Sequence, residues 1–454
     1  MNSSFQPTTR HRPRVVVIGL DGVAFSFLRG QIAAGNLPTL AQLATDGELR
    51  EAVSIQPPVS SVAWASFLTA RNPGKHGIFG FVDRRPRTFD LYIPTASDLR
   101  AQTIWEILSR QGRRICSINV PLTYPPQPVN GIIVGDFLAP TLEGATYPPD
   151  LAQKLAAAGY TLDADPILAH EDLNRFTDEV FRVLAARVRA ALELLRSESW
   201  DVFMLHIMET DRINHFLWRQ FEENHPRYRE RLLDFYRAVD AAVGQIAQAA
   251  GDDAVLLVLS DHGFCTARKA VFLNTWLVEA GWLRLRTPQG ARPSPADMSE
   301  DSRAYCLDPS RLYLRVAGRE PGGFIHLGPE YDTARDELAE ALLSMCDPDD
   351  GKPVIRAVYR REELYRGVCF DQAADLVADP YEGYDLRGRF GMAHTFDPHQ
   401  PQTGMHQFRD AFWLLRGAKF ADDATPSITD GGATLLALAG ADLPRDLDGI
   451  PRAT

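Results

Sequence analysis

The stretch VVVIGLDG, residues 15–22, decides the fold. Five of its first six residues are branched apolar side chains, and an Asp-Gly pair ends the run. A continuous apolar, β-branched run of this length reads as a strand buried on both faces, the signature of a parallel sheet. Two further runs repeat it: VFMLHIM (202–208) and AVLLVLS (254–260). RRICSINV (113–120), GIIVGD (131–136) and AFWLL (411–415) are shorter strand candidates. Helical patterns lie between them, at 24–34, 38–46, 102–112, 171–198 and 228–250. Strands alternating with helices predict an α/β fold whose largely parallel central sheet is flanked by helices.

From about residue 266 to residue 403 the texture changes. Segments such as RLYLRVAG (311–318) and FIHLG (324–328) are short and alternating, and Gly-, Pro- and Asp-rich loops separate them. The expected organisation is a core formed by 1–265 and 404–454, with 266–403 inserted as a mixed α+β cap. The tail TDGGATLLALAGADLPRDLDG (429–449) predicts one short helix and a closing turn that returns to the core.

Composition narrows the function. The 454 residues carry 48 Lys plus Arg against 59 Asp plus Glu, a net charge of -11. Nucleic-acid polymers demand a basic footprint, so they are not the expected partner. A small anionic substrate would need local cations, and bound metal supplies them. The five cysteines are widely spaced, with no CxxC, which suits reduced thiols in the cytoplasm better than a disulfide framework. Cys265 reads as a structural thiol. The amino-terminal MNSSFQPTTRHRPR is polar and expected to be disordered. The apolar run after it is too short for a signal sequence, and no stretch reaches the length of a membrane-spanning helix.

The serine-bearing segment QPPVSSVAWASFLTARNPGKHGIFGFVD spans 56–83. Pro57 and Pro58 hold the approach extended. Ser60 and Ser61 stand where a helix N-cap is expected, before the apolar run VAWASFL. A helix apolar on nearly all faces should be buried, with a hydroxyl at its positive end, where an anion is readily held.

Three buried strands end alike. Asp21 follows the first; Glu209, Thr210 and Asp211 follow the second, with His215 four residues beyond Asp211; Asp261 and His262 follow the third. In a parallel sheet these ends share one edge, where open α/β sheets place their ligands. So many carboxylates and imidazoles together are costly unless metal neutralises them. Taken alone, Asp211 and His215 read as a solvated helix start, and a carboxylate after a strand reads as a turn residue. Three coincident strand ends plus a serine are harder to read that way.

GLDG (19–22), PPVSS and LTARNPGKHGIFGF (57–61 and 68–81), DRINH (211–215), SDHGF (260–264) and GMH (404–406) together resemble the alkaline phosphatase superfamily. Within it they are most similar to the type I phosphodiesterase/nucleotide pyrophosphatase branch and its bacterial phosphohydrolase relatives. The resemblance implies two divalent metal ions, with zinc expected and manganese the alternative. One would be held by Asp211, His215 and His406, and the other by Asp21, Asp261 and His262. Ser60, where relatives commonly carry Thr, would be the nucleophile between them, with Ser61 facing away. Nucleotide pyrophosphatases place an Asn after the HGI motif, and Phe81 stands there here. Arg84, Arg85 and Arg87 follow closely and are substrate-binding candidates, although a solvated loop accounts for them equally.

The expected activity is hydrolysis of phosphoric esters of small molecules, phosphodiesters and nucleotides ahead of monoesters, through a phosphoserine. A phosphotransferase or mutase would use the same serine. Sulfatases of the superfamily convert a Cys or Ser within a Cys/Ser-x-Pro-x-Arg motif, and the residues after Ser60 do not fit it. A silent metal-binding scaffold is the alternative from another class.

Overall fold

A computed structural model describes residues 13–286 and 293–453. The expectation of disorder at the amino terminus therefore falls mostly outside the described residues. The central sheet is built from β1 (Arg14–Leu20), β2 (Glu48–Ala52), β3 (Ile115–Ile118), β4 (Gly131–Val134), β5 (Thr146–Tyr147), β6 (Val202–Ile207), β7 (Ala254–Leu259) and, nearer the carboxyl terminus, Ala411–Arg416. Its order is β2, Ala411–Arg416, β7, β1, β6, β3, β4, β5. The inner five strands, β7-β1-β6-β3-β4, run parallel. Antiparallel neighbours close both edges. The largely parallel sheet read from the apolar runs is thus present.

Alternation along β1 explains why both faces must be covered. Val16, Ile18 and Leu20 enter one apolar core, which also takes Phe176 and Val180 of α2 (Leu173–Ser197) and Val239 and Val243 of α4 (Tyr228–Ala250). Val15 and Val17 enter the opposite core, with Trp64 and Phe67 of the serine helix α1 (Ser60–Thr69) and Leu435 of α5 (Ile428–Leu438). Since successive strand side chains point to opposite faces, one run of valines serves both layers. The all-apolar serine helix is buried from Ser61 to Thr69.

The carboxyl ends of β1, β6 and β7 meet at one edge. There α3 (Glu209–Glu222) begins directly after β6. Beside that edge a short antiparallel ladder joins β8 (Gly263–Thr266) to β9 (Gly404–Gln407), with Phe264 opposite His406.

Between β8 and β9 the chain builds two small sheets. One has three strands around Lys269–Phe272, and the other has four, including Ala304–Leu307 and Arg311–Leu314. This region has its own apolar core, which also takes Phe79 from the loop after the serine helix. Buried Arg311 reaches back to that loop, pairing with Asp83 and donating to the Val82 carbonyl oxygen at 2.6 Å. The five cysteines are free. Burial pushes the Cys265 thiol up to about 12, so it stays protonated. Among the described residues, no helix is long and apolar enough to cross a membrane.

Candidate active site

Turns at the ends of three strands deliver the chemistry. Gly22 adopts φ +63, a left-handed conformation that glycine takes without strain. The turn lets its amide donate to Asp261 Oδ1 at 3.1 Å, tying the end of β1 to that of β7. Gly19 serves by its size: a Cβ there would lie 2.6 Å from Trp64 of the serine helix. The close approach lets the Trp64 indole donate to Asp21 Oδ2 at 3.0 Å.

Ser60 and Ser61 do not cap the helix. Val59 is the N-cap, with no side-chain cap bond, and helical backbone begins at Ser60 itself. The Ser60 hydroxyl is thereby free to face the sheet edge. It donates to Asp21 Oδ1 at 3.0 Å and lies 3.2 Å from His262 Nε2. Ser61 Oγ is buried without a hydrogen-bond partner, although the residue lines the adjoining cavity.

Around that hydroxyl the six carboxylate and imidazole residues gather into two triads, Asp211, His215 and His406, and Asp21, Asp261 and His262. The triads adjoin: the rings of His262 and His406 stack with centroids 3.9 Å apart. In the first triad, His406 Nε2 lies 3.1 Å from both Asp211 Oδ1 and His215 Nε2. In the second, His262 Nε2 lies 3.5 Å from Asp21 Oδ1 and 3.4 Å from Asp261 Oδ2.

All three imidazoles are oriented alike. His215 Nδ1 faces the Gly404 carbonyl oxygen at 2.9 Å, His406 Nδ1 that of Pro58 at 3.0 Å, and His262 Nδ1 that of Gly263 at 3.0 Å. A nitrogen facing a carbonyl carries the proton, so each Nε2 presents a lone pair to the carboxylates and to its neighbour. Lone pairs 3.1 Å apart repel unless a cation or proton lies between them.

The second triad shows the same strain in its carboxylates. Burial raises Asp261 well above the ordinary carboxylate range, and the Asp21 charge adds to this. Asp21 is also opposed by burial, but the hydrogen bond with His206 leads the effects that hold it below its usual value. Asp261 Oδ2 has no hydrogen-bond partner. These donor sets fit divalent ions. Tetrahedral zinc, with bonds of about 2.0–2.1 Å, separates its donor atoms by about 3.3 Å.

A layer of supporting residues escaped the sequence reading. His206, next to the carboxyl end of β6, places Nε2 2.8 Å from Asp21 Oδ2. Arg187 of α2 grips Glu209 Oε1 at 2.9 and 2.7 Å and so anchors the start of α3, the helix bearing Asp211 and His215. Each was visible as a polar residue inside an apolar stretch, but only proximity reveals its partner.

The structure does not bring Arg84 and Arg85 to the site, a correction to the substrate-binding expectation. Arg84 pairs with Glu320 at 3.1 Å, and Arg85 pairs with Asp98 at 3.1 Å and lies over the Tyr92 ring. Neither lines the cavity beside Ser60, and Arg87 is exposed. That cavity, about 300 Å³, is lined by Ser60, Asp211, His215 and His406 together with residues between β8 and β9 such as Arg387.

Comparison with known proteins agrees with this geometry. The profile of the type I phosphodiesterase/nucleotide pyrophosphatase family matches residues 15–409. Among solved structures, phosphonoacetate hydrolase from Sinorhizobium meliloti 1021 in complex with phosphonoformate superposes with a TM-score of 0.65 at 18% identity, covering 94% of this chain and 96% of that one. Murine ectonucleotide pyrophosphatase/phosphodiesterase 5 superposes with a TM-score of 0.57 at 15% identity, covering 96% and 97%. An inactive form of the murine protein in complex with AMP also has a TM-score of 0.57, at 14% identity, with coverage of 96% and 97%. No curated protein matches by sequence. With β1, β6, β7 and β9 all inside the matched span, this chain belongs to the metal-dependent type I phosphodiesterase/nucleotide pyrophosphatase family of the alkaline phosphatase superfamily and is a phosphoric ester hydrolase.

Proposed function

We propose that the chain hydrolyses phosphodiesters of small molecules, with Ser60 as the nucleophile. Asp211, His215 and His406 would hold one divalent ion and Asp21, Asp261 and His262 a second, zinc fitting both. The observation that carries this reading is the inward convergence of three imidazole Nε2 atoms and three carboxylates beside one serine hydroxyl. When bound, such ions lower the pKa of an adjacent hydroxyl or water and offset charge on phosphoryl oxygens.

The chain's own residues do the rest. Asp21 Oδ1 accepts a hydrogen bond from the Ser60 hydroxyl and fixes its direction. Ser60 Oγ attacks phosphorus, the bond to the leaving alkoxide breaks, the serine proton passes through solvent to that alkoxide, and a phosphoserine forms. The amino end of α1 places partial positive charge near the phosphoryl oxygens. Water then attacks phosphorus, the Oγ–P bond breaks, and a proton released by that water restores the Ser60 hydroxyl. The preference for diesters rests on family membership, and the cysteine pattern suits a reducing compartment such as the cytoplasm.

The test is a panel of nitrophenyl phosphomonoesters, phosphodiesters and sulfate esters on zinc-loaded protein. Diesters should lead in kcat/KM, and Ser60→Ala should abolish turnover while metal content and melting temperature hold. A strong monoester preference would point to phosphatase or mutase chemistry. Full activity in Ser60→Ala would remove the serine from the mechanism.

A further inference from the structure

The cavity beside Ser60 has two kinds of lining. Asp211, His215 and His406 reach it from the site. Apolar side chains line it too, among them Phe81, Pro94, Pro121, Leu122, Phe137 and Met208. Phe81 and Phe137 stack in parallel, with centroids 6.1 Å apart and planes inclined by 6°. Phe81 is nonetheless 38% exposed, an unusual state for so large an apolar ring beside a reactive hydroxyl.

Both rings sit on pinned backbone. Around Phe81, Asp83 accepts from the Phe79 amide at 2.9 Å, and Arg311 grips Asp83 and the Val82 carbonyl. Around Phe137, buried Asp136 accepts from the amides of Thr123 and Leu138, each at 2.9 Å. A preformed apolar surface of this kind stabilises a bound apolar group without an ordering cost.

Two arginines line the cavity, and each already holds a carboxylate. Arg212 pairs with Asp163 at 2.6 Å and lies over the Phe137 ring. Arg387 donates to Asp385 at 2.8 Å and to Gln402 at 2.7 Å. Among the described lining residues, no arginine lacks a carboxylate partner. The aromatic pair is also closed to insertion, because a third ring between the two needs about 7–8 Å at ordinary contact distance.

We propose that the site takes a single phosphoryl group whose larger ester substituent is uncharged and apolar, alkyl or aryl, packed against Phe81 and the wall beside it, rather than a nucleoside polyphosphate. The inference rests on the phosphodiesterase reading of Ser60. The Phe81 ring is then the surface that sets specificity.

The test compares nitrophenyl phosphodiesters that share a leaving group and differ in the second ester: methyl, hexyl and carboxypentyl. The hexyl ester should exceed the methyl ester in kcat/KM by at least about tenfold, since each buried methylene contributes about 0.8 kcal/mol. The carboxypentyl ester should lose that gain. Phe81→Asn should collapse the hexyl-to-methyl ratio, and Phe81→Leu should keep most of it. A second arm measures binding of methyl hexyl phosphate and dimethyl phosphate to metal-loaded Ser60→Ala by calorimetry, with the hexyl compound at least about tenfold tighter. Equal rates and equal affinities for the short and long esters, or ATP outpacing the hexyl ester, would overturn the proposal. If no ester is turned over but the hexyl compound binds tighter, the Ser60 reading fails and the apolar subsite stands.

Discussion

Arg187→Met tests how the site is held. Arg187 and Glu209 side chains are both 0% exposed. The guanidinium also donates to Tyr160 Oη at 2.7 Å and to the Leu162 carbonyl at 2.9 Å. Removing it strands the Glu209 carboxylate in the interior, where breaking a buried pair typically costs about 3–5 kcal/mol. The double variant Arg187→Met/Glu209→Leu strands neither partner, and apolar replacement of a buried pair is often nearly neutral. What remains lost is the bonds to Tyr160 and Leu162, each about 1 kcal/mol. The double variant should therefore be more stable than Arg187→Met alone by about 1–3 kcal/mol in urea unfolding. Because Glu209 is the first residue of α3, Arg187→Met should also weaken the ion at Asp211, His215 and His406, read as metal retained after dialysis. A double variant as unstable as the sum of its singles would refute the idea of a stranded charge.

His406→Ala should leave the ion at Asp21, Asp261 and His262 while weakening the other, so metal retained after dialysis falls from about two ions per chain towards one; two tightly held ions and normal turnover would remove His406 from the site. His206→Leu takes the imidazole from Asp21 Oδ2 and should weaken metal at the second triad by about 10–100-fold, with unchanged affinity refuting the role. His76 is buried, and burial lowers its pKa from 6.5 to about 3. The folded state thus favours the neutral ring, and its contribution is full above pH 6.5 and lost as pH falls from there towards 3. His76→Gln should flatten the acid limb of stability against pH by up to about 1.4 kcal/mol per pH unit; identical slopes would contradict it.

The central sheet was legible because strands buried on both faces cannot hide: Val15–Leu20 and Ala254–Leu259 are apolar at nearly every position. Asp21, Asp211 and Asp261 were legible as a group because parallel strands must present their carboxyl ends at one edge. Arg84 was not, since its fate was settled by Glu320, 236 residues away. The serine was found with the wrong local geometry: its type suited an N-cap, yet the backbone made Val59 the cap and gave the hydroxyl to Asp21. His206 sat in plain view in VFMLHI as the polar residue of an apolar strand, but only the fold shows that Asp21 lies beside it. Residue type and periodicity speak for local structure, whereas pairing across hundreds of residues is decided by packing.

The antiparallel strand Ala411–Arg416 lies between β7 and β2, shortly after β9, the strand that carries His406. The sheet edge and one triad are therefore finished by chain made well after β1, β6 and β7. At synthesis rates of about 5–20 residues per second, the serine, β1, β6 and β7 wait on the order of ten seconds for their closing strand. During that interval the nascent chain bears a reactive hydroxyl and unpaired strand edges but an incomplete set of ligands. The three residues proposed to share one ion are thus together only once His406 has been made, and a nascent chain that stops before it carries two of the three.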